Sequence, residues 1–337
     1  KTGGTTGSPC IVIKDEKNRS FTWGSYYRWY NWMGLDYYDS IVTFWGAPTV
    51  LTSSVYRRAM DSGVNFIQNE TLFNSFNMSE KDMLRMYKII IKVKPKLIKG
   101  YASSMIKFAK FLNTRKLSIS GVLAISTTTE TLLPHNRELL QKCFNAPVYD
   151  QYGCGEVSAI AYECSKHNGM HVNQEHVICE VLDKNDNPIM NCSGNIIATD
   201  LDNLAMPFIR FQTGDMGALS TIRCQCGVNQ PLLSSIEGRS IETVVLSDGN
   251  SVHGVFFTDI LYEVGILVNH VSRFQIIQNF PGEIEFYIEC SEPLGDTFTH
   301  LLKEALLRYL SKVDIIESVF LESESNGKFR YIVNNTY

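Results

Sequence analysis

No apolar run in the 337 residues approaches the ~18 residues that a membrane-crossing helix needs. The longest candidate, Lys88-Ile89-Ile90-Ile91-Lys92-Val93, is short and carries lysines. A basic block is also missing. Lys and Arg number 31 against 35 Asp and Glu, a net charge of −4, which argues against nucleic acid as a partner. No signal peptide, internal repeat or low-complexity segment is visible. Nine cysteines are present, but their spacing is not that of a small disulfide-stapled domain. Most are expected to be reduced and buried, which implies a reducing compartment and a cytoplasmic location. Position 1 is not Met and no strand precedes the first glycine-rich motif, so the chain reads as beginning inside a domain.

The composition is ordinary for a globular protein, 44% hydrophobic and 20% charged, and the length suggests two or more domains. Residues 25–38 are dense in aromatics: Tyr26, Tyr27, Trp29, Tyr30, Trp32, Tyr37 and Tyr38. They suit a helix with one face in a core, or part of a substrate wall. Ser79 is a candidate N-cap, with Asp82 at the third helical position. Met83, Met86, Tyr87, Ile90 and Ile91 then recur at helical spacing. Tyr101–Leu112 reads as a second helix and Ser120–Ile125 as a strand. This alternation predicts an α/β layered architecture. Strands are expected from Ile178 and over Gly194–Asp200, with a turn at Asp183–Pro188 between them. A boundary is expected just after Glu237-Gly238-Arg239. Beyond it, Asp248-Gly249 marks a hairpin turn, and Glu283–Cys290 alternates as a half-buried strand. Leu301, Leu302, Ala305, Leu306, Tyr309 and Leu310 make one helix face. The last ~95 residues thus predict a small α+β domain.

Five segments carry chemistry. Thr2-Gly3-Gly4-Thr5-Thr6-Gly7 offers backbone N–H groups and hydroxyls to a polyphosphate, although no Lys-Ser or Lys-Thr follows as in a Walker A loop. Tyr152-Gly153-Cys154-Gly155-Glu156 places an acid after an aromatic-glycine turn, and such an acid can hold Mg²⁺ with phosphate oxygens. Asp215 ends a strand, where a carboxylate can accept both ribose hydroxyls. Arg239 offers a guanidinium at the expected boundary, and Lys328 follows a glycine near the far end. Each has an ordinary alternative as a surface or turn residue.

In this order and at these separations, the segments resemble the adenylate-forming (acyl-CoA synthetase) superfamily, in its phenylacetate-CoA ligase and coenzyme F390 synthetase branch. The similarity is strongest to the CapK-like proteins of capsular polysaccharide biosynthesis. It is carried further by Glu163–His171, Glu175-His176-Val177, Thr199-Asp200-Leu201, Ala205–Arg210, Pro231-Leu232-Leu233 and Gly327–Arg330, so that it spans nearly the whole chain. The resemblance implies an AMP-binding core over 1–239, lacking its N-terminal part, and a small mobile C-terminal domain over 240–337. It implies that ATP and a carboxylic acid give an acyl-adenylate, whose acyl group passes to a thiol, with coenzyme A as the co-substrate. Thr2, Gly3, Gly4, Thr5, Thr6 and Gly7 would hold the β- and γ-phosphates, with Tyr152 against adenine and Mg²⁺ on Glu156. Asp215 would bind the ribose with Arg239 beside it, and Lys328 would act on the transition state. Alternation places Lys328 and Arg330 on one strand face and Phe329 and Tyr331 on the other. The expected partners are a small carboxylic acid and a second copy of the chain as a homodimer.

Two features depart from the family. It carries a substantial region before the phosphate loop, and its hinge has an acid directly after Gly-Arg-x. Here Ile241 occupies that place and Glu242 follows. A non-catalytic scaffold relative, or transfer to an amine or hydroxyl, are the alternative readings. Separately, Cys164, His171, Cys224 and Cys226 would satisfy tetrahedral Zn²⁺, with His167 as a competing ligand. Four protein ligands leave no open position, so the metal would be structural.

Overall fold

The computed structural model describes residues 11–45, 69–75, 78–130, 132–239, 243–249, 251–253, 256–257, 260–261, 264, 271–290, 293–318, 320–321 and 330–336. The chain divides into two compact units, Lys1–Thr213 with Gly217–Ile236, and Gly214–Met216 with Glu237–Tyr337. The architecture is mixed α/β with a large sheet and a small C-terminal unit, as the alternation of elements predicts.

The helices of the first unit are α1 (Glu16–Trp32), α2 (Glu80–Val93), α3 (Ala102–Thr114) and α4 (Pro134–Phe144). Its strands are β1 (Ile41–Trp45), β2 (Glu70–Asn74), β3 (Leu97–Tyr101), β4 (Ala124–Thr128), β5 (Val148–Cys154), β6 (Ser158–Glu163), β7 (Met170–Val172), β8 (Val177–Leu182), β9 (Gly194–Asp200) and most of β10 (Phe211–Ser220) and β11 (Leu232–Arg239). They form one sheet in the order β2-β1-β3-β4-β5-β6-β7-β11-β10-β9-β8. β1 to β5 pair in parallel. From β5 onward the described pairings are antiparallel.

Both faces of the parallel half are covered. On one lie Met83, Met86 and Ile90 of α2, Met105, Phe108 and Leu112 of α3, and Leu140 and Phe144 of α4, packed on Val42, Phe44, Ile98, Ile125 and Val148. On the other, Trp29 and Tyr30 of α1 pack on Ile41, Leu97, Ala124 and Tyr149. Local chemistry sets the helix ends. Ser79 Oγ accepts the Asp82 N–H at 3.2 Å, with Glu80 and Asp82 in the first turn, where carboxylates offset the helix dipole. Asp15 caps α1 through the Asn18 N–H at 2.7 Å. The aromatics on α1 take the core role, whereas Tyr37 and Tyr38 lie beyond the helix and are exposed.

One expected strand is displaced. β4 begins at Ala124 rather than Ser120, because Gly121 takes a left-handed φ of +82° and the ladder to β3 starts at Leu97↔Ala124. The cysteines also differ from expectation. All eight described are free, but only Cys164 and Cys290 are fully buried, and Cys192 is exposed.

The second unit contains the hairpin β12 (Thr243–Val245) and β13 (Ser251–His253), then β14 (Val271–Phe280), β15 (Glu283–Cys290), α5 (Asp296–Leu307), β16 (Lys312–Ser318) and β17 (Ile332–Asn334). Its four-stranded sheet has the order β16-β15-β14-β17. β15 alternates half-buried and buried along its whole length, as its sequence predicts. On α5 the buried residues are Leu302, Ala305 and Leu306. Leu301 is exposed, because one residue of offset turns a side chain by about 100° around a helix, and the exposed Tyr309 lies beyond the end of α5. The buried Gln278 amide accepts the Val245 N–H at 2.7 Å and donates to Val245 O at 2.9 Å, tying β12 to β14.

Candidate nucleotide site and metal-ligand cluster

In the parallel half the order β2-β1-β3-β4-β5 reverses the direction of connection between β1 and β3. Open α/β sheets bind ligands beyond the carboxyl ends of their strands at such a reversal. Trp45 and Tyr101 end β1 and β3, and their ring centroids lie 4.6 Å apart. Just inside the end of β3 lies Lys99. Its ammonium contacts Glu70 at 3.2 Å and donates to the Tyr30 hydroxyl at 3.2 Å, and it lies over the Trp23 and Tyr30 rings. Burial alone would lower the Lys99 pKa, but Tyr30 and Glu70 outweigh it and the pKa is raised. Sequence patterns did not single out this group, although a lysine inside the apolar run Leu97-Ile98-Lys99 was a usable signal.

β5, the last parallel strand, leads into the turn that presents Glu156. Tyr152 is buried among Val157, Ile160 and Ala161. Its hydroxyl donates to Thr213 Oγ1 at 3.2 Å, which donates to Ile196 O at 3.0 Å. Glu156 is half-buried on the turn between β5 and β6. Asp215 lies on β10 and Arg239 closes β11. Thr2, Gly3, Gly4, Thr5, Thr6, Gly7 and Lys328 lie outside the described residues, as do hinge positions Ile241 and Glu242. The described part of the last strand is Ile332–Asn334, so the expected alternation at 328–329 is also outside them. Tyr331 packs on Phe274 with centroids 5.4 Å apart.

The four candidate metal ligands come together. One ligand atom from each of Cys164, His171, Cys224 and Cys226 lies within 4.8 Å of the others. Cys164 and Cys224 sulfurs are 3.7 Å apart, and Cys226 Sγ is 3.2 Å from His171 Nε2. His171 Nδ1 faces the Gln230 carbonyl at 3.3 Å. With its proton donated there, Nε2 presents a lone pair to the sulfurs, the arrangement that orients metal-binding imidazoles. The backbone makes this possible at two glycines. Gly227 turns the chain after Cys226 with φ +89°. Gly169 packs so tightly on β11 that a Cβ would lie 2.7 Å from Leu233 O. Burial pushes the Cys164 thiol up to about 12. At Cys224 burial acts the same way, but the Cys226 N–H and the neighbouring thiols outweigh it and lower the pKa.

His167, the competing ligand, is engaged elsewhere. Its Nδ1 lies 3.3 Å from Glu163 Oε2, and Arg137 pairs with the same carboxylate at 3.0 Å. Glu163 Oε2 also accepts the Asp150 N–H at 2.8 Å. The Asp150 carboxyl is pushed up to about 7, chiefly by burial, while the Thr127 hydroxyl bond opposes the shift. A second buried group joins His176, Asp200 and Asp202. His176 Nδ1 lies 2.7 Å from Asp202 Oδ2, and Asn18 Nδ2 donates to both Asp200 oxygens at 3.1 and 2.9 Å.

Residues 244–335 match the family described as CapK C-terminal domain. The chain is 29% identical over 213 residues to the phenylacetate-coenzyme A ligase of Thermus thermophilus, covering 54% of this chain and 47% of that protein. It is 22% identical over 284 residues to Protein CapK of Staphylococcus aureus, covering 79% of this chain and 59% of that one. The fold is that of a 2-hydroxyisobutyryl-CoA ligase in its postadenylation state with 2-HIB-AMP, at a TM-score of 0.77 and 18% identity over 99% of this chain and 73% of that one. The chain is similar in sequence and in fold to adenylate-forming ligases. A second such structure, the anthranilate CoA ligase AuaEII with anthranoyl-AMP, matches at a TM-score of 0.71 and 11% identity over 98% of this chain and 65% of that one. The chain spans about half the length of the curated relatives it matches, 47% and 59%.

Proposed function

We propose that this protein activates a small carboxylic acid with ATP and transfers the acyl group to a thiol, with coenzyme A as the acceptor. In the first step a carboxylate oxygen attacks the α-phosphorus, the bond to the β-phosphate breaks, and pyrophosphate leaves. In the second a thiolate attacks the acyl carbon and AMP leaves. The observation that carries this reading is the Tyr152–Glu156 turn at the carboxyl end of the last parallel strand, in a fold whose neighbours include ligases solved with acyl-adenylates.

On this reading Glu156 would hold a Mg²⁺, which would offset phosphate charge, and Asp215 binds the ribose with Arg239 beside it. Tyr152 lies against the adenine, and its partner Thr213 fixes its hydroxyl. Thr2 to Gly7 wrap the β- and γ-phosphates. Lys328 neutralises charge that develops on the reacting phosphate and carboxylate. The residues after Arg239 form a domain that moves between half-reactions. Cys164, His171, Cys224 and Cys226 hold a structural Zn²⁺, and the protein serves a capsular polysaccharide pathway in the cytoplasm.

The test is exchange of labelled pyrophosphate into ATP by the purified protein with a panel of carboxylic acids and Mg²⁺. Lys328→Ala should cut exchange by a factor on the order of 10²–10³, as for loss of a preorganised transition-state donor. Full activity in that variant removes the role given to Lys328. Exchange with none of the acids favours the scaffold reading.

A further inference from the structure

The backbone around Glu156 is tightly constrained. A Cβ on Gly153 would lie 2.2 Å from Ser158 O. Ser158 itself has φ +74°, a left-handed conformation that a side chain adopts at a cost and that needs outside support. Within the turn, Cys154 Sγ accepts the Val157 N–H at 3.4 Å. Two side chains from distant parts of the chain hold its far end. His176 Nε2 lies 3.2 Å from Val157 O, and Lys14 Nζ donates to Ser158 Oγ.

Lys14 is itself held on both sides. Asn203 Nδ2 donates to Ile13 O at 2.9 Å, and the Asp15 carboxylate caps α1 and accepts the Leu204 N–H at 3.1 Å. The anionic groups around its ammonium are Asp200 and Glu156, with the Cys154 thiol also nearby, and they oppose the lowering of its pKa by burial. A cation on a fixed stem therefore sits beside the turn that carries the proposed Mg²⁺ ligand.

We propose that Lys14 is a positioning residue for the Glu156 carboxylate, fixing the strained turn through Ser158. The proposal rests on the reading of Glu156 as the Mg²⁺ ligand. Position and charge act with opposite signs here. As a neighbouring positive charge alone, Lys14 would repel Mg²⁺, so its removal would tighten metal binding. As a clamp, its removal would loosen the turn and weaken binding. Losing a residue that orients a metal ligand costs about 10–100-fold in affinity.

The experiment compares the intact protein with Lys14→Met, Lys14→Arg and Glu156→Gln. One readout is the affinity for Mn²⁺ with ATP, followed by electron paramagnetic resonance. The other is the rate at which iodoacetamide alkylates Cys154, followed by mass spectrometry. Lys14→Met should weaken Mn²⁺–ATP binding by about tenfold and speed Cys154 alkylation by a similar factor, with the rates at Cys143 and Cys290 unchanged. Lys14→Arg should restore both. Tighter or unchanged Mn²⁺ binding in Lys14→Met, or faster alkylation at all cysteines alike, overturns the proposal. If Glu156→Gln leaves Mn²⁺ binding intact, the metal reading of Glu156 fails, and Cys154 alkylation alone then decides whether Lys14 holds the turn.

Discussion

The two halves of the eleven-stranded sheet are held together by different means. The parallel half, β1 to β5, is sandwiched between α1 and the α2–α4 layer, and four of the five residues of β1 are buried. The antiparallel half has an apolar cluster built, among the described residues, from strand and loop side chains alone. Its connections, with His171 on β7, carry the cysteine–histidine cluster and the His176–Asp202 pair. Both halves bury apolar area, and the second adds side-chain ties between its loops. Where strands meet through burial, a single polar change costs the desolvation of the new group and the packing it replaces. Where they meet through loops, a single ligand should matter more.

The largest effect is therefore expected at Cys224→Ser. Structural zinc sites supply roughly 10–16 kcal/mol of apparent binding energy in small peptides. A sheet that is already folded depends on its metal less, so a loss on the order of 5 kcal/mol is expected, together with loss of the single zinc that elemental analysis should find. Binding must displace the thiol protons that burial retains at Cys164, so zinc affinity should fall as pH falls. A protein that carries no zinc and is unaffected by this substitution would erase the contrast between the halves.

Next comes the charge inside the parallel half. Lys99→Met leaves Glu70 without its cation and should cost about 3 kcal/mol. Adding Glu70→Met should recover most of that loss, because two apolar residues replace the pair. Additive losses in the double variant, measured by urea denaturation, would mean that the pair itself stabilises the sheet.

A smaller, pH-dependent effect belongs to Asp150 on the strand shared by both halves. Its folded pKa, about 7, lies above the ordinary 3.8. Its contribution to stability is therefore fully present below about pH 4 and is lost as pH rises through 7. Relative to Asp150→Asn, the parent protein should lose about 2–3 kcal/mol between pH 5 and 8, since each tenfold change in proton affinity corresponds to about 1.4 kcal/mol. An identical pH dependence in the two proteins would contradict the raised value. The smallest effect is Ser79→Ala, which removes the cap of α2 and should cost about 1 kcal/mol in thermal or urea melts.

The contrast also explains what the sequence made legible. Alternation identified β15 because one of its faces is half-buried, and capping chemistry identified α2 because Ser79 and Asp82 act locally. Gly194–Asp200 was read with its observed bounds. The placement of β4 was not legible, since a strand buried on both faces has no alternation and its start depends on pairing with β3. On α5 the residues were apolar, but the offset that leaves Leu301 exposed is decided by the sheet beneath it. Among site residues, the cysteine–histidine set was readable from residue type and spacing. Asp150 and Lys14 were not, because only the fold brings Glu163 and Ser158 to them, and Lys99 was marked only by its place in an apolar run.

The strand order also sets a timetable. β7 takes β11 as its neighbour, although β8, β9 and β10 come between them in the chain. During synthesis, at about 5–20 residues per second, the edge of β7 waits roughly 3–12 s for the residues that cover it. Cys224 and Cys226 emerge in the same late stretch. Until then the nascent chain presents an unpaired strand edge together with a lone cysteine and histidine, an invitation to pair with the wrong chain or to capture the wrong ion.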